Sequence, residues 1–96
     1  MNRRTYPVNL IVNNVKIKAV VIDPHYELKH SKSINDEIIL RLVDMLNHGE
    51  FDPDSSTQDY EYYTNDLMLE NKNYQLVWLI SKSEIMIGVV NAYRRK

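Results

Sequence analysis

Residues 8–22, Val-Asn-Leu-Ile-Val-Asn-Asn-Val-Lys-Ile-Lys-Ala-Val-Val-Ile, decide how the chain begins to fold. Apolar and polar residues alternate cleanly over residues 15–19, and the content of β-branched residues is high, so strands are favoured over helix. Asn13-Asn14 suits a two-residue hairpin turn, because asparagine tolerates positive φ better than most residues. The stretch predicts a β-hairpin formed by residues 8–12 and 15–22.

Two helices are predicted after the hairpin. Asp23-Pro24 ends the second strand, since proline cannot donate a hydrogen bond to the ladder, and Pro24 can open a short helix over residues 24–31. A longer helix opens at Ser33, because the following apolar residues recur at the spacing of a core-facing stripe. The stripe consists of Ile34, Ile38, Ile39, Leu42, Val43 and Leu46. It ends at Asn47-His48-Gly49, where Gly49 has the position of a left-handed C-cap.

The second half of the chain is predicted to form an acidic loop and then strands. Residues 50–59 are polar and turn-rich, which indicates an exposed loop. Strand character follows in residues 60–64, 67–69, 74–80 and 84–93. We predict a single α+β domain over residues 1–96, in which an N-terminal β-hairpin, one short helix and one long helix pack on an antiparallel sheet of about three to five strands. The pattern does not decide whether the hairpin joins that sheet.

The composition, with 44% hydrophobic and 26% charged residues, is that of an ordinary soluble globular protein. The absence of cysteine excludes disulfides, thiolate metal sites and cysteine nucleophiles. Asparagine and lysine interrupt the N-terminal apolar segments, so neither a signal peptide nor a membrane span is predicted. We expect a cytoplasmic protein without a targeting segment.

Charge is distributed unevenly along the chain, although the net charge is only −1. Bases dominate residues 1–34 and the C-terminal Arg94-Arg95-Lys96, whereas residues 35–75 are strongly acidic. One basic face would result if the N-terminal third and the last strand meet in space. Solvated charges on opposite surfaces would fit the pattern equally well.

Residues 23–32, Asp-Pro-His-Tyr-Glu-Leu-Lys-His-Ser-Lys, form the first candidate site, since they contain two of the three histidines and two lysines. The chain has no phosphate loop, dinucleotide fingerprint, zinc-protease motif or nucleophile elbow. A histidine exchanges a proton near neutral pH, and a neighbouring cation can stabilise a developing phosphate charge. His25, Lys29 and His30 therefore suit one half of a metal-independent acid/base site.

Tyr93 and Arg94, at the end of the last predicted strand, would supply the other half if that strand end folds back against the histidines. We expect no metal and no other cofactor. Two alternatives stay open: a metal site assisted by Asp23 or Glu27, and surface histidines on a short amphipathic turn that packs Tyr26 and Leu28 inward.

The layout of the chain resembles small bacterial toxin ribonucleases of the RelE, BrnT and colicin D kind. The shared features are a Tyr-x-x-Lys-His segment, a capped helix, an acidic turn and a strand meander that ends in Val-Val-Asn-Ala-Tyr-Arg-Arg, together covering residues 23–95. The resemblance implies a metal-independent ribonuclease that acts on mRNA or tRNA, with a protein inhibitor or antitoxin as partner. Lys29, His30 and Arg94 match basic or imidazole residues of these families, Tyr93 matches a terminal aromatic residue, and Lys32, Arg95 and Lys96 are the expected RNA-binding residues.

Two other functions fit the sequence. One is a non-enzymatic protein-interaction module, an inhibitor or adaptor, that uses the acidic segment 50–66 and its tyrosines. The other is RNA binding without cleavage, with Tyr74, Trp78 or Tyr93 as stacking platforms. The chain also departs from toxin ribonucleases in being slightly acidic, and the loop 50–59 would repel a phosphate backbone if it lay near the site.

Overall fold

The computed structural model describes residues 2–95 and shows a six-stranded mixed sheet with two short helices. The strands are β1 (Arg4–Val12), β2 (Val15–Ile22), β3 (Ser55–Ser56), β4 (Tyr60–Leu69), β5 (Lys72–Ser81) and β6 (Met86–Arg95). A 3₁₀ turn (Pro24–Tyr26) runs directly into α1 (Glu27–His30), and α2 is Asp36–Asp44. The spatial order is β1-β2-β6-β5-β4-β3, with β2 and β6 parallel and the other neighbours antiparallel.

The predicted architecture, an antiparallel sheet of three to five strands with a long helix, is wrong. The N-terminal hairpin joins the main sheet, because β2 pairs in parallel with β6 from Ala19 opposite Met86 to Ile22 opposite Val89. The sheet is therefore mixed and has six strands. Alternation in the sequence indicates which side chains share a face, but it carries no information about which strand edges meet.

The helix predicted to open at Ser33 begins later, at Asp36. Asn35 has an extended backbone and acts as the N-cap, since its side chain accepts a hydrogen bond from the Ile38 N–H at 2.8 Å. Ser33 belongs instead to a turn, and its N–H donates to the carbonyl of His30 at 3.1 Å. Both residues are good caps, and the chain uses the second one.

The predicted C-cap at Gly49 is also wrong, because His48 takes the left-handed conformation there with φ 65°. The His48 N–H donates to the carbonyl of Ile11 at 2.6 Å, which ties the end of α2 to the outer edge of β1. Glycine at position 49 instead allows the close approach of the Phe51 ring, since a Cβ there would lie 2.5 Å from that ring.

Two of the antiparallel strand pairs, β1–β2 and β4–β5, are connected by tight turns that contain two left-handed residues each. Asn13 and Asn14 have φ values of 52° and 62°, so the hairpin turn predicted from the sequence is confirmed. Glu70 and Asn71 form the same kind of turn, with φ values of 52° and 64°, between β4 and β5. β5 therefore begins at Lys72, two residues before the strand segment predicted from residue 74.

Residues 60–69 form one continuous strand rather than the two predicted segments. The polar pair Asn65-Asp66, which interrupts the sequence pattern, is accommodated by cross-strand hydrogen bonds. Asn65 accepts from Trp78 Nε1 at 2.9 Å, and Asp66 accepts from the side chain of Gln75 at 3.2 Å.

The hydrophobic core lies between α2 and one face of the sheet. Trp78 is fully buried and stacks on Tyr63 with ring centroids 4.1 Å apart, while Phe51 meets it edge-on at 5.5 Å. The other face of the sheet, which we call the open face, carries half-buried side chains such as Val77 and Leu79. Within residues 2–95, no helix is long and apolar enough to cross a membrane.

A network around Asp36 joins β1 to both helical segments. Its carboxylate accepts hydrogen bonds from Arg4 at 2.5 and 2.7 Å, from Tyr6 at 2.5 Å and from Tyr26 at 2.8 Å. Arg4 also donates to Glu27 at 2.7 Å. The bond from Arg4 lowers the pKa of Asp36 to about 2, while burial and the bond to Asp36 raise the pKa of Tyr26 to about 12.

The orientation of α2 can be tested with two aliphatic residues. Leu42 is fully buried, whereas Ile38 is only half-buried. Leu42→Ala should lower the free energy of unfolding by about 2–5 kcal/mol, and Ile38→Ala by clearly less, because less apolar surface is lost from the core. Urea unfolding measures both; a larger loss for Ile38→Ala would contradict the orientation.

The Asp36 network predicts loss of stability in acid. Because the pKa of Asp36 falls from its ordinary 3.8 to about 2 on folding, its contribution is present above pH 4 and is lost as the pH falls through 2. The contribution is on the order of 2 kcal/mol. Asp36→Asn should remove this part of the pH dependence in denaturant unfolding between pH 2 and 7. Asp44→Asn, at an exposed acid of the same helix, is the control and should preserve it.

Candidate functional site

A small pocket of about 200 Å³ lies between α1 and β6. β2 ends at Ile22 beside Val89, so the remainder of β6 extends past it, and the 3₁₀ turn and α1 pack against that part of β6. The residues that line the pocket are His25, Leu28, Lys29, His30 and Asn91. The structure thus brings together the three basic residues that the sequence grouped as one half of a site.

Local interactions fix how the 3₁₀ turn and α1 present these side chains. Asp23 is the N-cap, and its Oδ1 accepts a hydrogen bond from the His25 N–H at 2.9 Å. Tyr26 is buried and donates to Asp36, so its neighbour His25 is directed away from the core. Leu28 is 63% exposed, which contradicts the alternative in which it packs inward beside Tyr26.

His30 and Tyr93 are in direct contact. Their rings are stacked, with centroids 5.3 Å apart and an angle of 28° between the planes. The end of β6 therefore folds against the histidine segment, and Tyr93 is the residue of the second half of the site that makes the contact. The contact restricts the orientation of the His30 imidazole at the pocket wall.

Arg94 is not brought into this cluster. Successive side chains on a strand point to opposite faces, so Arg94 points away from the face that carries Tyr93. Its register partner on β5 is Tyr74, which is buried in the core, and Arg94 itself is exposed at the sheet end. Arg94 does not line the pocket.

The predicted RNA-binding residues lie around the pocket rather than in it. Lys32 is exposed in the turn that follows α1. Arg95 returns to the same face as Tyr93 and forms an exposed ion pair with Asp66 at 3.4 Å. Lys96 lies outside the described residues.

Asn91 is a pocket residue that the sequence reasoning missed. Its Oδ1 accepts a hydrogen bond from the Ala92 N–H at 2.9 Å. No other hydrogen bond joins its side chain to residues 2–95, so its amide nitrogen can donate to a ligand in the pocket. The alternation of side chains along the last strand indicates Asn91 as a neighbour of the site, because Asn91 and Tyr93 are two residues apart and share a face.

The electrostatic surroundings of the pocket are basic. Of the acids next to it in sequence, Asp23 pairs with Arg3 at 3.5 Å and Glu27 pairs with Arg4 at 2.7 Å. The acidic loop is remote from this pocket, since it adjoins β3 at one edge of the sheet, three strands away from β6. Three strand spacings correspond to about 14 Å across the sheet, beyond the screening length of about 8 Å at physiological ionic strength.

Two of the predicted stacking platforms are excluded by burial. Trp78 is 0% exposed and Tyr74 is 4% exposed, so neither can stack on a nucleobase. Tyr93 is half-buried, and His30 stacks on its ring. In the acidic segment, Tyr63 is buried, whereas Tyr60 and Tyr62 line a second pocket on the open face.

No protein family, curated protein or solved structure matches the chain. The resemblance to toxin ribonucleases stays a prediction. Within residues 2–95, no three histidine, aspartate or glutamate side chains are grouped as metal ligands would be.

The stacking of His30 on Tyr93 can be tested without any assumption about function. Tyr93→Leu removes the aromatic ring current and should shift the ring-proton resonances of His30 in NMR spectra, whereas Tyr93→Phe keeps the ring and should preserve them. The ring protons of His48, at the far end of α2, are the internal control. Unchanged His30 resonances in Tyr93→Leu would contradict the contact.

Proposed function

We propose that this protein is a metal-independent endoribonuclease of the bacterial toxin type, which cleaves mRNA or tRNA. The supporting observation is that His25, Lys29 and His30 line one pocket while Tyr93 stacks on His30. RNA carries its own nucleophile, the 2′-hydroxyl, so cleavage requires proton transfer and charge stabilisation and little else. Two imidazoles and one ammonium group meet that requirement.

The proposed reaction balances without a co-reactant. One imidazole accepts the proton of the 2′-hydroxyl as O2′ attacks phosphorus and a P–O2′ bond forms. The P–O5′ bond breaks, and the other imidazole, as its imidazolium, protonates the departing O5′. The products are a 2′,3′-cyclic phosphate and a 5′-hydroxyl. Lys29 stabilises the charge that develops on the non-bridging phosphate oxygens, and the amide of Asn91 can donate a further hydrogen bond.

Residues around the pocket have a binding role in this proposal. Lys32 and Arg95 suit contacts to neighbouring phosphates, which position an RNA but do not specify its sequence. Arg94 points to the opposite face of β6 and takes no part in the mechanism. An enzyme acting on mRNA or tRNA belongs in the cytoplasm, and the same resemblance proposes a protein inhibitor or antitoxin as its partner.

A second candidate function, a protein-interaction module using residues 50–66, is favoured by one observation. β3 pairs with β4 only opposite Glu61 and Tyr62, so within residues 2–95 the rest of the outer edge of β4 has no strand partner. An open edge accepts an added strand, and the neighbouring acids Asp59 and Asp66 would favour a basic one. This candidate predicts a protein complex and no RNA cleavage.

The decisive experiment is an RNA cleavage assay in the presence of a chelator. The wild type should cleave RNA to products with 2′,3′-cyclic phosphate ends, and His25→Ala and His30→Ala should each lower the rate by about 10²–10⁴-fold. Replacing the 2′-hydroxyl at the cleaved position with hydrogen should block the reaction.

The matched control is His48→Asn, because His48 lies outside the pocket and asparagine tolerates its left-handed backbone. This variant should cleave like the wild type. Equal activity of wild type and His30→Ala would show that the cleavage comes from another site or a contaminant. Absence of cleavage by the wild type on both mRNA and tRNA would count against the proposed function.

A further inference from the structure

The open face carries a second and larger pocket, of about 320 Å³. Its floor is formed by four residues that lie side by side on adjacent strands, each paired in register with the next. They are Tyr62 on β4, Leu79 on β5, Gly88 on β6 and Val21 on β2. Gly88 leaves a depression in the middle of this row. A Cβ at that position would lie 2.9 Å from Leu79 Cδ1, so any larger residue would fill the depression.

The two pockets are neighbours on the same face. Asp23 and Val90 line the larger pocket, and His25 and Asn91 line the smaller one. On β5, the register partners of Gly88 and Asn91 are two residues apart, which corresponds to about 7 Å along the strand. A distance of this size can be spanned by a single nucleotide.

We propose that the larger pocket is a nucleobase subsite for the RNA that is cut in the smaller pocket. The inference rests on the proposed ribonuclease function and adds its base preference. The occupant is one base of the substrate, and its ribose-phosphate leads toward His25 and Lys29. Continuity with the basic pocket favours a nucleotide over other occupants of an apolar sheet face.

The residues of the larger pocket suit contact with the flat face of a nucleobase. Tyr62 offers a half-buried aromatic ring, and the apolar floor excludes water from the base plane. Base stacking on an aromatic side chain is a main source of affinity in single-stranded RNA recognition. A row of side chains with a gap at Gly88 gives a flat ring room to enter.

Asp23 at the rim supplies a hydrogen-bond acceptor for the base edge. Its Oδ1 accepts from the His25 N–H at 2.9 Å, and its Oδ2 is 3.5 Å from Arg3 Nε. A carboxylate has about four acceptor positions, so two are left for a ligand. Guanine presents two adjacent donor groups, N1–H and the exocyclic amino group, which can pair with both carboxylate oxygens at once, whereas adenine, cytosine and uracil each present one donor group. The subsite should therefore favour guanine.

The test measures binding of the four nucleoside 3′-monophosphates by NMR titration, which does not depend on cleavage. The nucleotide of guanine should bind more tightly than those of adenine, cytosine and uracil. Tyr62→Leu should lower the affinity for all four nucleotides by about 5- to 100-fold, because the stacking contact is lost. Tyr62→Phe should keep an affinity within about two-fold of the wild type.

Two further variants probe the floor and the rim. Gly88→Ala should weaken the binding of all four nucleotides, because the added methyl group fills the depression. Circular dichroism checks that this variant folds. Asp23→Asn keeps an N-cap for the 3₁₀ turn but loses the carboxylate, and it should reduce the preference for guanine. Equal affinities of wild type and Tyr62→Leu would overturn the subsite. So would a dimer that dissociates in Tyr62→Leu without any nucleotide binding, since the face would then belong to a second copy.

The outcomes for the subsite and for the ribonuclease are separable. Nucleotide binding that depends on Tyr62, in a protein that cleaves no RNA, supports the subsite and counts against the catalytic role of the smaller pocket. RNA cleavage that depends on His30, with nucleotide affinity unchanged in Tyr62→Leu and base preference unchanged in Asp23→Asn, supports the ribonuclease and overturns the subsite. His48→Asn should bind the nucleotides like the wild type, because His48 lies outside both pockets.

Discussion

The carboxylate of Asp36 connects three parts of the chain that are distant in sequence. It accepts hydrogen bonds from Arg4 and Tyr6 of β1 and from Tyr26 of the 3₁₀ turn, and it occupies the first position of α2. A negative charge at that position also stabilises the helix start. Because Tyr26 is held toward the core, the adjacent His25 is presented outward at the pocket. The arrangement of the site thus depends on an ion pair that takes no part in its chemistry.

Local elements of the fold follow from local sequence, whereas the way they assemble does not. The Asn13-Asn14 turn was predictable, because few residues adopt two successive left-handed conformations. The parallel pairing of β2 with β6 was not, since an alternating pattern looks the same whichever edge it pairs with. The start of α2 was only partly predictable. The sequence contains two possible N-cap residues, Ser33 and Asn35, and the bond from Arg4 to Asp36 favours Asn35.

The candidate site was predictable to the extent that its residues are close in sequence. His25, Lys29 and His30 stand within one short segment, and of the expected partners Tyr93 and Arg94 only Tyr93 contacts it. Strand alternation alone would have separated Arg94 from Tyr93. The pocket on the open face could not be predicted, because it requires the register of four strands and the missing side chain at Gly88.

The net charge of −1 is compatible with an RNA-binding site because the charges are spatially separated. The acidic loop adjoins β3 and the Tyr62 side of the open face, while Lys29 lies beside β6, three strands away, and salt screens charges at that separation. A near-neutral chain nevertheless attracts a polyanion weakly, since non-specific affinity comes from the number of phosphates neutralised. Under the proposed function, base contacts must then supply affinity that a strongly basic ribonuclease obtains from its charge. The open face next to the pocket, with Tyr62 and the depression at Gly88, is where the structure offers such contacts.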